Sequence, residues 1–459
     1  MLKSVMDKYK VWKFFYRKNL YYHSYVTKIL THMISKRASV IEFGAKGGEI
    51  LLGLKNKKKL GVNFPRDFPT NVKGLKLINF EDIGRVDKSF DYIVLNHALS
   101  EVGDIQNFIT KAKKLMHEDS VVIVLSFNYF WKGVFDIAAR LNLKYPFPAN
   151  PNWLEEADIK TLFNLEGMKR VSTEKHMLIP FYIPWVSNFI NKYLSQIPLI
   201  NNLCVTQVMV FRSATKRPES AVSIVIPAKN EQGNIKNLLA KIPHLGKWTE
   251  VIFIEGHSND ETLTSIKQEI TNYYGPIRSS YYTQTGVGKA DAVRLGFKKA
   301  KGDILMILDA DLTVRPGELT KFYQALTQGA GELVMGSRLI YPMEGDAMPT
   351  INFIGNKMFS VIFSFLLNQR IKDTLCGTKV LYKKHYEKIR EQQGFFGNFD
   401  PFGDFDLIFG AKKTNLKILE IPVRYRARRY GSTNISRFSH GWLLIKMAYV
   451  AARKLKFIN

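Results

Sequence analysis

Apolar residues along this chain fall into short runs separated by polar or glycine-bearing stretches. Such runs are too brief for buried helices and read as buried strands. In the first half they are residues 39–43 (SVIEF), 60–62, 90–95 (FDYIVL) and 121–125 (VVIVL). Between them the spacing turns helical. Residues 105–116 are apolar at Phe108, Ile109, Ala112 and Leu115, and a helical segment follows Gly44–Gly48. Strands alternating with helices predict a parallel, doubly wound sheet.

The second half repeats the pattern. Residues 222–226 (VSIVI), 250–254 (EVIFI), 303–308 and 333–336 read as strands, and residues 234–242, 260–273 and 290–300 as helices. The polar, proline-bearing stretch SATKRPES separates the halves. The expected organisation is one domain over residues 1–213, a linker over 214–220 and a second domain over 221–459. The fold class is α/β, with two doubly wound domains.

The strand at 303–308 runs directly into Asp309-Ala310-Asp311. A buried carboxylate without a partner loses several kcal/mol of hydration, so something must offset two of them. Side chains two apart on a strand point the same way, and ligands of parallel sheets sit beyond the carboxyl ends of the strands. Asp309 and Asp311 therefore suit a hard cation, Mg²⁺ or Mn²⁺, shared with a phosphate-bearing substrate. The competing reading is a surface turn with solvated aspartates.

Other polar clusters recur at strand ends in a fixed order: Pro227-Ala228-Lys229-Asn230-Glu231, then Glu255-Gly256-His257-Ser258-Asn259-Asp260-Glu261-Thr262, then Gly288-Lys289-Ala290-Asp291, then Asp309-Ala310-Asp311. From about residue 221 to 437 the chain resembles family 2 glycosyltransferases of the GT-A nucleotide-diphosphosugar transferase fold. The resemblance implies a nucleotide-diphosphosugar donor and inversion at the anomeric carbon. It implies that Pro227 and Glu231 border the base and ribose, Glu255 meets the nucleobase, and Lys289 lies by the diphosphate. Asp309 would reach the sugar or ribose and Asp311 the metal, while Arg338, after the strand in VMGSRL, joins the donor contacts. Gly256 departs from the family's second aspartate. Read without the family, Glu231 and Asp260 are helix caps and Lys289 is a loop charge.

The segments IKDTLCGTKVLYKK, GDFDLIFGAKK and EIPVRYRARRYGSTNISR resemble the dolichyl- and polyprenyl-phosphate sugar synthases within that family. Asn434 stands where lysine is common. For a hydroxyl acceptor on a glycan, Asp404 or Asp406 would serve as general base. A polyprenyl phosphate is already ionised and needs only cations, which Arg424, Arg426, Arg428 and Arg429 offer; a solvated arginine face is the alternative.

In the first half, Val40-Ile41-Glu42-Phe43-Gly44-Ala45-Lys46-Gly47-Gly48 and Phe90–Leu95 resemble class I S-adenosylmethionine-dependent methyltransferases. The resemblance implies S-adenosylmethionine as cofactor, with Glu42, Gly44 and Gly47 at its methionine part and Asn63 where an acidic residue normally holds the ribose. Lys46 interrupts the usual glycine pattern. His97 is either a base or a structural histidine. Methyl transfer as the main activity, and a non-catalytic adaptor at a membrane surface, are the rival readings of the whole chain.

Composition adds a partner class. The chain has 459 residues and a net charge of +27, which favours anionic partners. No nucleic-acid module accompanies the charge, so nucleic acid is set aside. The basic, apolar segment HGWLLIKMAYVAARKLKFIN and the lysines at 55 and 57–59 point instead to an anionic membrane surface. Cys204 and Cys376 fit no disulfide framework or zinc spacing. No signal peptide or uninterrupted apolar span of membrane length is evident. The expected location is cytoplasmic, peripheral on the cytoplasmic face of a membrane.

Overall fold

A computed structural model describes the chain except residues 1, 65–67, 144, 146–150, 343–349, 392–403, 429, 432–436 and 458–459. The chain divides into two compact units. Unit 1 is Met1–Ser213 with Phe457–Asn459, and unit 2 is Ala214–Lys456.

Unit 1 is built on strands β1 (Val40–Phe43), β2 (Lys59–Asn63), β3 (Asn71–Val72), β4 (Leu75–Asn79), β5 (Phe90–Asn96), β6 (Met116–Phe127), β7 (Met168–His176) and β8 (Thr206–Ser213). They form one sheet in the order β3-β4-β2-β1-β5-β6-β8-β7. The stretch from β4 to β6 is parallel, as expected. The sheet as a whole is mixed, because β8 runs antiparallel to both β6 and β7, and β3 antiparallel to β4. Strand order reverses between β1 and β5, which opens a crevice beyond their carboxyl ends. Strand residues alternate between two cores. Val40, Val94 and Ile123 pack on one face, and Ile41, Ile93 and Val124 on the other. Burial on both faces explains runs with no polar alternation.

Unit 2 holds β9 (Val222–Ala228), β10 (Thr249–Glu255), β11 (Arg278–Thr283), β12 (Ile304–Ile307), β13 (Leu333–Ser337), β14 (Lys379–Tyr382) and β15 (Ile418–Pro422). Their order is β11-β10-β9-β12-β14-β13-β15. Strands β9 to β12 are mutually parallel, whereas β14 is antiparallel to β12 and β13. The switch point lies between β9 and β12, so the residues following them, Lys229–Glu231 and Leu308–Asp311, share one crevice. Ile224 and Met306 face one core, Val225 and Ile307 the other.

One expected helix is different. Residues 234–242 are not continuous: a turn of helix at Gln232–Ile235 gives way to a 3₁₀ turn at Leu239–Lys241. Asn237 sits in the left-handed region with φ +56. The Glu269 carboxylate accepts the amides of Asn237 (2.7 Å) and Leu239 (2.9 Å), which removes the need for helical partners.

Candidate functional site at the switch point of unit 2

The crevice is lined by three carboxylates, Asp309, Asp311 and Glu231, and by cations drawn from separate elements. Asp309 and Asp311 follow β12. Leu312 after them adopts φ +54, a conformation that a leucine seldom takes, and its N–H closes a turn onto Asp309 O at 3.3 Å. Asp311 Oδ1 accepts Thr313 N (3.1 Å) and Thr313 Oγ1 (2.9 Å), fixing its orientation.

Each aspartate meets a cation. Lys289 Nζ lies 2.5 Å from Asp309 Oδ1. Lys289 begins the helix Lys289–Lys299, preceded by Gly288 at φ +89, so its ammonium and the helix N-terminus share the crevice. Burial alone would raise the Asp309 carboxyl. Lys289, helped by Lys379 and Arg338, outweighs burial and holds it below the ordinary range. Gly377 packs against this pair: a β-carbon there would collide with Asp309 Oδ2 and stand 2.5 Å from Lys289 Nζ.

Arg428 joins the other two acids. Its guanidinium donates to Asp311 Oδ2 at 2.8 Å and to Glu231 Oε1 at 3.1 Å. Glu231 Oε2 accepts from Asn234 Nδ2 at 2.6 Å. Burial foremost, then the nearby Asp311 and Asp309, push the Glu231 carboxyl up, against the pull of Asn234 and Arg428. Arg428 reaches this position because residues 424–428 run beside the aspartate loop. Tyr425 bridges Val314 in antiparallel fashion, and Arg426 N donates to Thr313 O at 3.0 Å. Tyr430 lies over Gly233, where a β-carbon would strike its ring.

The remaining expected residues have more local work. Pro227 lies in β9 opposite Ile254. Glu255 is buried at the end of β10, and its Oε1 accepts Ser258 N at 2.6 Å, closing the following turn. Asp260 acts as a double cap, accepting Thr262 N at 3.0 Å and Gln232 N at 3.3 Å. Glu231 does not cap: among the described contacts its carboxylate bonds side chains only. The Arg338 fork is committed to Asp373, with Nε to Oδ2 at 2.7 Å and a second N–H to Oδ1 at 2.8 Å. Asp373 is fully buried and also accepts from Asn356 Nδ2 at 2.7 Å. Burial opposes its charge, yet Arg338 holds its carboxyl down at about 2. Arg338 thus bears on Asp309 through its charge and not through a bond. Arg424 stacks over Tyr341 at 5.7 Å. Asp406 is paired with Arg294 at 2.8 Å, away from the aspartate pair's own contacts. The side chain of Asp404, and residues 429 and 432–436, lie outside the described residues.

The sequence reading missed Asn234, Lys379 and the role of Gly377. Lys379 is fully buried on β14 and donates to Cys376 O at 2.6 Å. Its signal was the CGTK run, which sets a lysine directly before the apolar residues Val380-Leu381-Tyr382.

Residues 223–390 match the family model described as glycosyl transferase family 2. That span contains the crevice residues from β9 to β14. Unit 2 carries a family 2 glycosyltransferase domain. The transferase domain is similar to the dolichol-phosphate mannosyltransferase of Pyrococcus furiosus, 26% identical over 220 residues, which are 47% of this chain and 59% of that protein. It is also similar to the UDP-N-acetylglucosamine–dolichyl-phosphate N-acetylglucosaminyltransferase of Methanococcus voltae, 26% identical over 253 residues, 50% of this chain and 98% of that protein. Among solved structures, glucosyl-3-phosphoglycerate synthase of Mycobacterium tuberculosis, in complex with Mn²⁺, UDP and glucosyl-3-phosphoglycerate, aligns at a TM-score of 0.38 and 16% identity, covering 51% of this chain and 80% of that one.

Unit 1 has its own crevice, at β1 and β5. Gly44 adopts φ +80 there, and a β-carbon would collide with the Asn96 carbonyl. Glu42 is buried, its Oε1 accepts Asn96 Nδ2 at 2.9 Å, and burial pushes its carboxyl up to about 8. The expected cofactor contacts do not assemble. The Glu49 side chain covers Gly47, and Trp12 Nε1 donates to it at 3.2 Å. Lys46 is buried in an ion pair with Glu101. Asn63 is turned inward, donating to Lys46 O at 2.9 Å, where a ribose-holding residue would face out. His97 stacks on Phe127 with ring centroids 4.2 Å apart and bonds Tyr22 Oη at 3.0 Å, a structural setting. Glu42 Oε2 and Asn63 Oδ1 are buried without a hydrogen-bond partner. With its loop filled by Glu49, Lys46 and Glu101, the arrangement does not fit S-adenosylmethionine.

Proposed function

We propose that the transferase domain moves a sugar from a nucleotide-diphosphosugar to a polyprenyl phosphate, with inversion and with Mg²⁺ or Mn²⁺ held by Asp309 and Asp311. The observation that carries this is the pairing of each aspartate with a cation from another element, Lys289 and Arg428, at one strand end. Two carboxylates from one loop are a hard-oxygen donor set suited to such an ion. When bound, the ion supplies charge stabilisation for the departing diphosphate.

The chain's own groups do the rest. Lys289, at a helix N-terminus, attracts the diphosphate and holds Asp309 ionised. Arg428 is placed to neutralise Asp311 and Glu231 before the donor arrives and to receive an anionic acceptor afterwards. Of the two expected base candidates, Asp406 is tied to Arg294, and the side chain of Asp404 lies outside the described residues. An acceptor that needs no deprotonation fits that setting better than a glycan hydroxyl. The names of the Pyrococcus and Methanococcus relatives, both acting with dolichyl phosphate, agree with this choice. Among the described residues no helix is long and apolar enough to cross a membrane. A lipid acceptor is then met at the cytoplasmic membrane surface, where Trp442, Ile445 and Tyr449 of the helix Arg437–Ala451 are exposed.

Calorimetric titration with UDP- and GDP-sugars tests the reading. Cation-dependent binding that is lost in Asp311→Asn supports it. Equal binding with and without cation would sink it.

A further inference from the structure

Residues 178–203 of unit 1 are folded inside out: the buried side chains among them are Ser187, Asn191, Ser195 and Gln196. In the helix Val186–Lys192 the buried side chains are Ser187 and Asn191. Ser187 Oγ donates to Phe181 O and accepts Ile183 N, both at 2.8 Å. Asn191 Oδ1 accepts Leu178 N (2.7 Å) and Ile179 N (3.0 Å), while its Nδ2 donates to Ile179 O at 2.8 Å. The polar groups thus satisfy the backbone inward, and the apolar ones face solvent. Trp185 is 89% exposed, Leu199 84% and Phe189 57%, with Phe181 and Tyr193 beside them. Trp185 also has φ +64, a strained conformation for an indole-bearing residue, and it is not repaid by any packing of the ring. Trp131 Nε1 donates to Leu203 O at 2.8 Å, which ties this segment to the helix Lys132–Arg140, in which no residue is buried.

We propose that this surface of unit 1 inserts into the interfacial zone of an anionic lipid bilayer, anchoring the protein independently of any chemistry in unit 1. Tryptophan, tyrosine and phenylalanine with apolar bodies are the side chains that favour this zone. Charge selects the lipid over a second copy of the chain. Residues 177–205 contain no acid and one cation, Lys192. Lys28 lies near enough to Lys192 for the two charges to repel, and Lys175 flanks the segment, bonded to Asn202. A two-fold pairing of this face would bring these lysines together, whereas anionic headgroups neutralise them. The inference does not depend on the transferase reading.

The test uses the full chain with vesicles of equal parts phosphatidylglycerol and phosphatidylcholine. Brominated lipid should quench the emission that Trp185→Phe removes. The triple variant Trp185→Ser/Phe189→Ser/Leu199→Ser should lose vesicle affinity by about tenfold or more while keeping its thermal midpoint and its nucleotide binding. Unquenched Trp185 emission, or unchanged vesicle affinity in the triple variant, overturns the proposal. So does a wild-type dimer in solution that the triple substitution converts to monomer.

Discussion

Arg428 lies 2.8 Å from Asp311, which stands 117 residues earlier in the sequence. The same guanidinium reaches Glu231. Residues 424–428 therefore run beside the loop that follows β12, and the acids expected to hold a metal are already charge-balanced by protein.

Replacing Arg428 should separate donor from acceptor chemistry. Arg428→Ala is expected to raise the KM for the lipid phosphate by about tenfold or more, since a charge-assisted contact to phosphate is worth a few kcal/mol. Donor binding should change less, because the ion takes over neutralisation of Asp311. Steady-state kinetics with each substrate varied in turn will show the split.

Gly377→Ala is predicted to act on activity before stability. The added methyl would strike Asp309 and crowd Lys289. Transfer should fall by about 10²-fold, in line with a lost electrostatic contact at a reacting group, with the melting midpoint nearly unchanged.

Asp373 sets an acid limb of stability. Its folded carboxyl titrates at about 2, below the ~3.9 of an unfolded aspartate. The unfolded chain therefore takes up the proton first as pH falls. The stabilisation is complete above about pH 4 and is lost as pH drops toward 2. Asp373→Asn should cost roughly 3–5 kcal/mol near neutrality, because the buried Arg338 charge loses its partner. Urea melts should show that gap closing as the pH approaches 2.

Glu42 has the opposite sign. Its folded value of about 8 lies above the ~4.3 of an unfolded glutamate. The unfolded chain ionises first as pH rises, so the folded state loses stability between about 4.3 and 8. Glu42→Gln, which keeps an acceptor for Asn96, should match wild type at low pH and exceed it at pH 9. In the same protein, titration with S-adenosylmethionine should give no saturable binding.

The central strands and the acids at their ends were legible because burial on both faces demands uninterrupted apolar runs, and the polar breaks then mark the crevice. Asp309, Asp311, Glu231 and Lys289 all lie in the same crevice at the switch point of unit 2. What stayed hidden was set by contacts distant in sequence. The edge strand Arg278–Thr283 (RSSYYT) is half exposed and carries no apolar run. Nothing local to Arg428 marks it as the partner of Asp311, and nothing local to Asn63 shows that it turns inward. The helix expected at 234–242 was lost to Glu269, which satisfies amides from another element.

The most direct test of the central claim is transfer itself. Wild-type protein, Mg²⁺ or Mn²⁺, a polyprenyl phosphate and a panel of labelled nucleotide sugars should carry label from one donor into the organic phase, and Asp311→Asn should abolish it. Label that never leaves the aqueous phase for any donor, or that moves equally well with Asp311→Asn, would contradict the account.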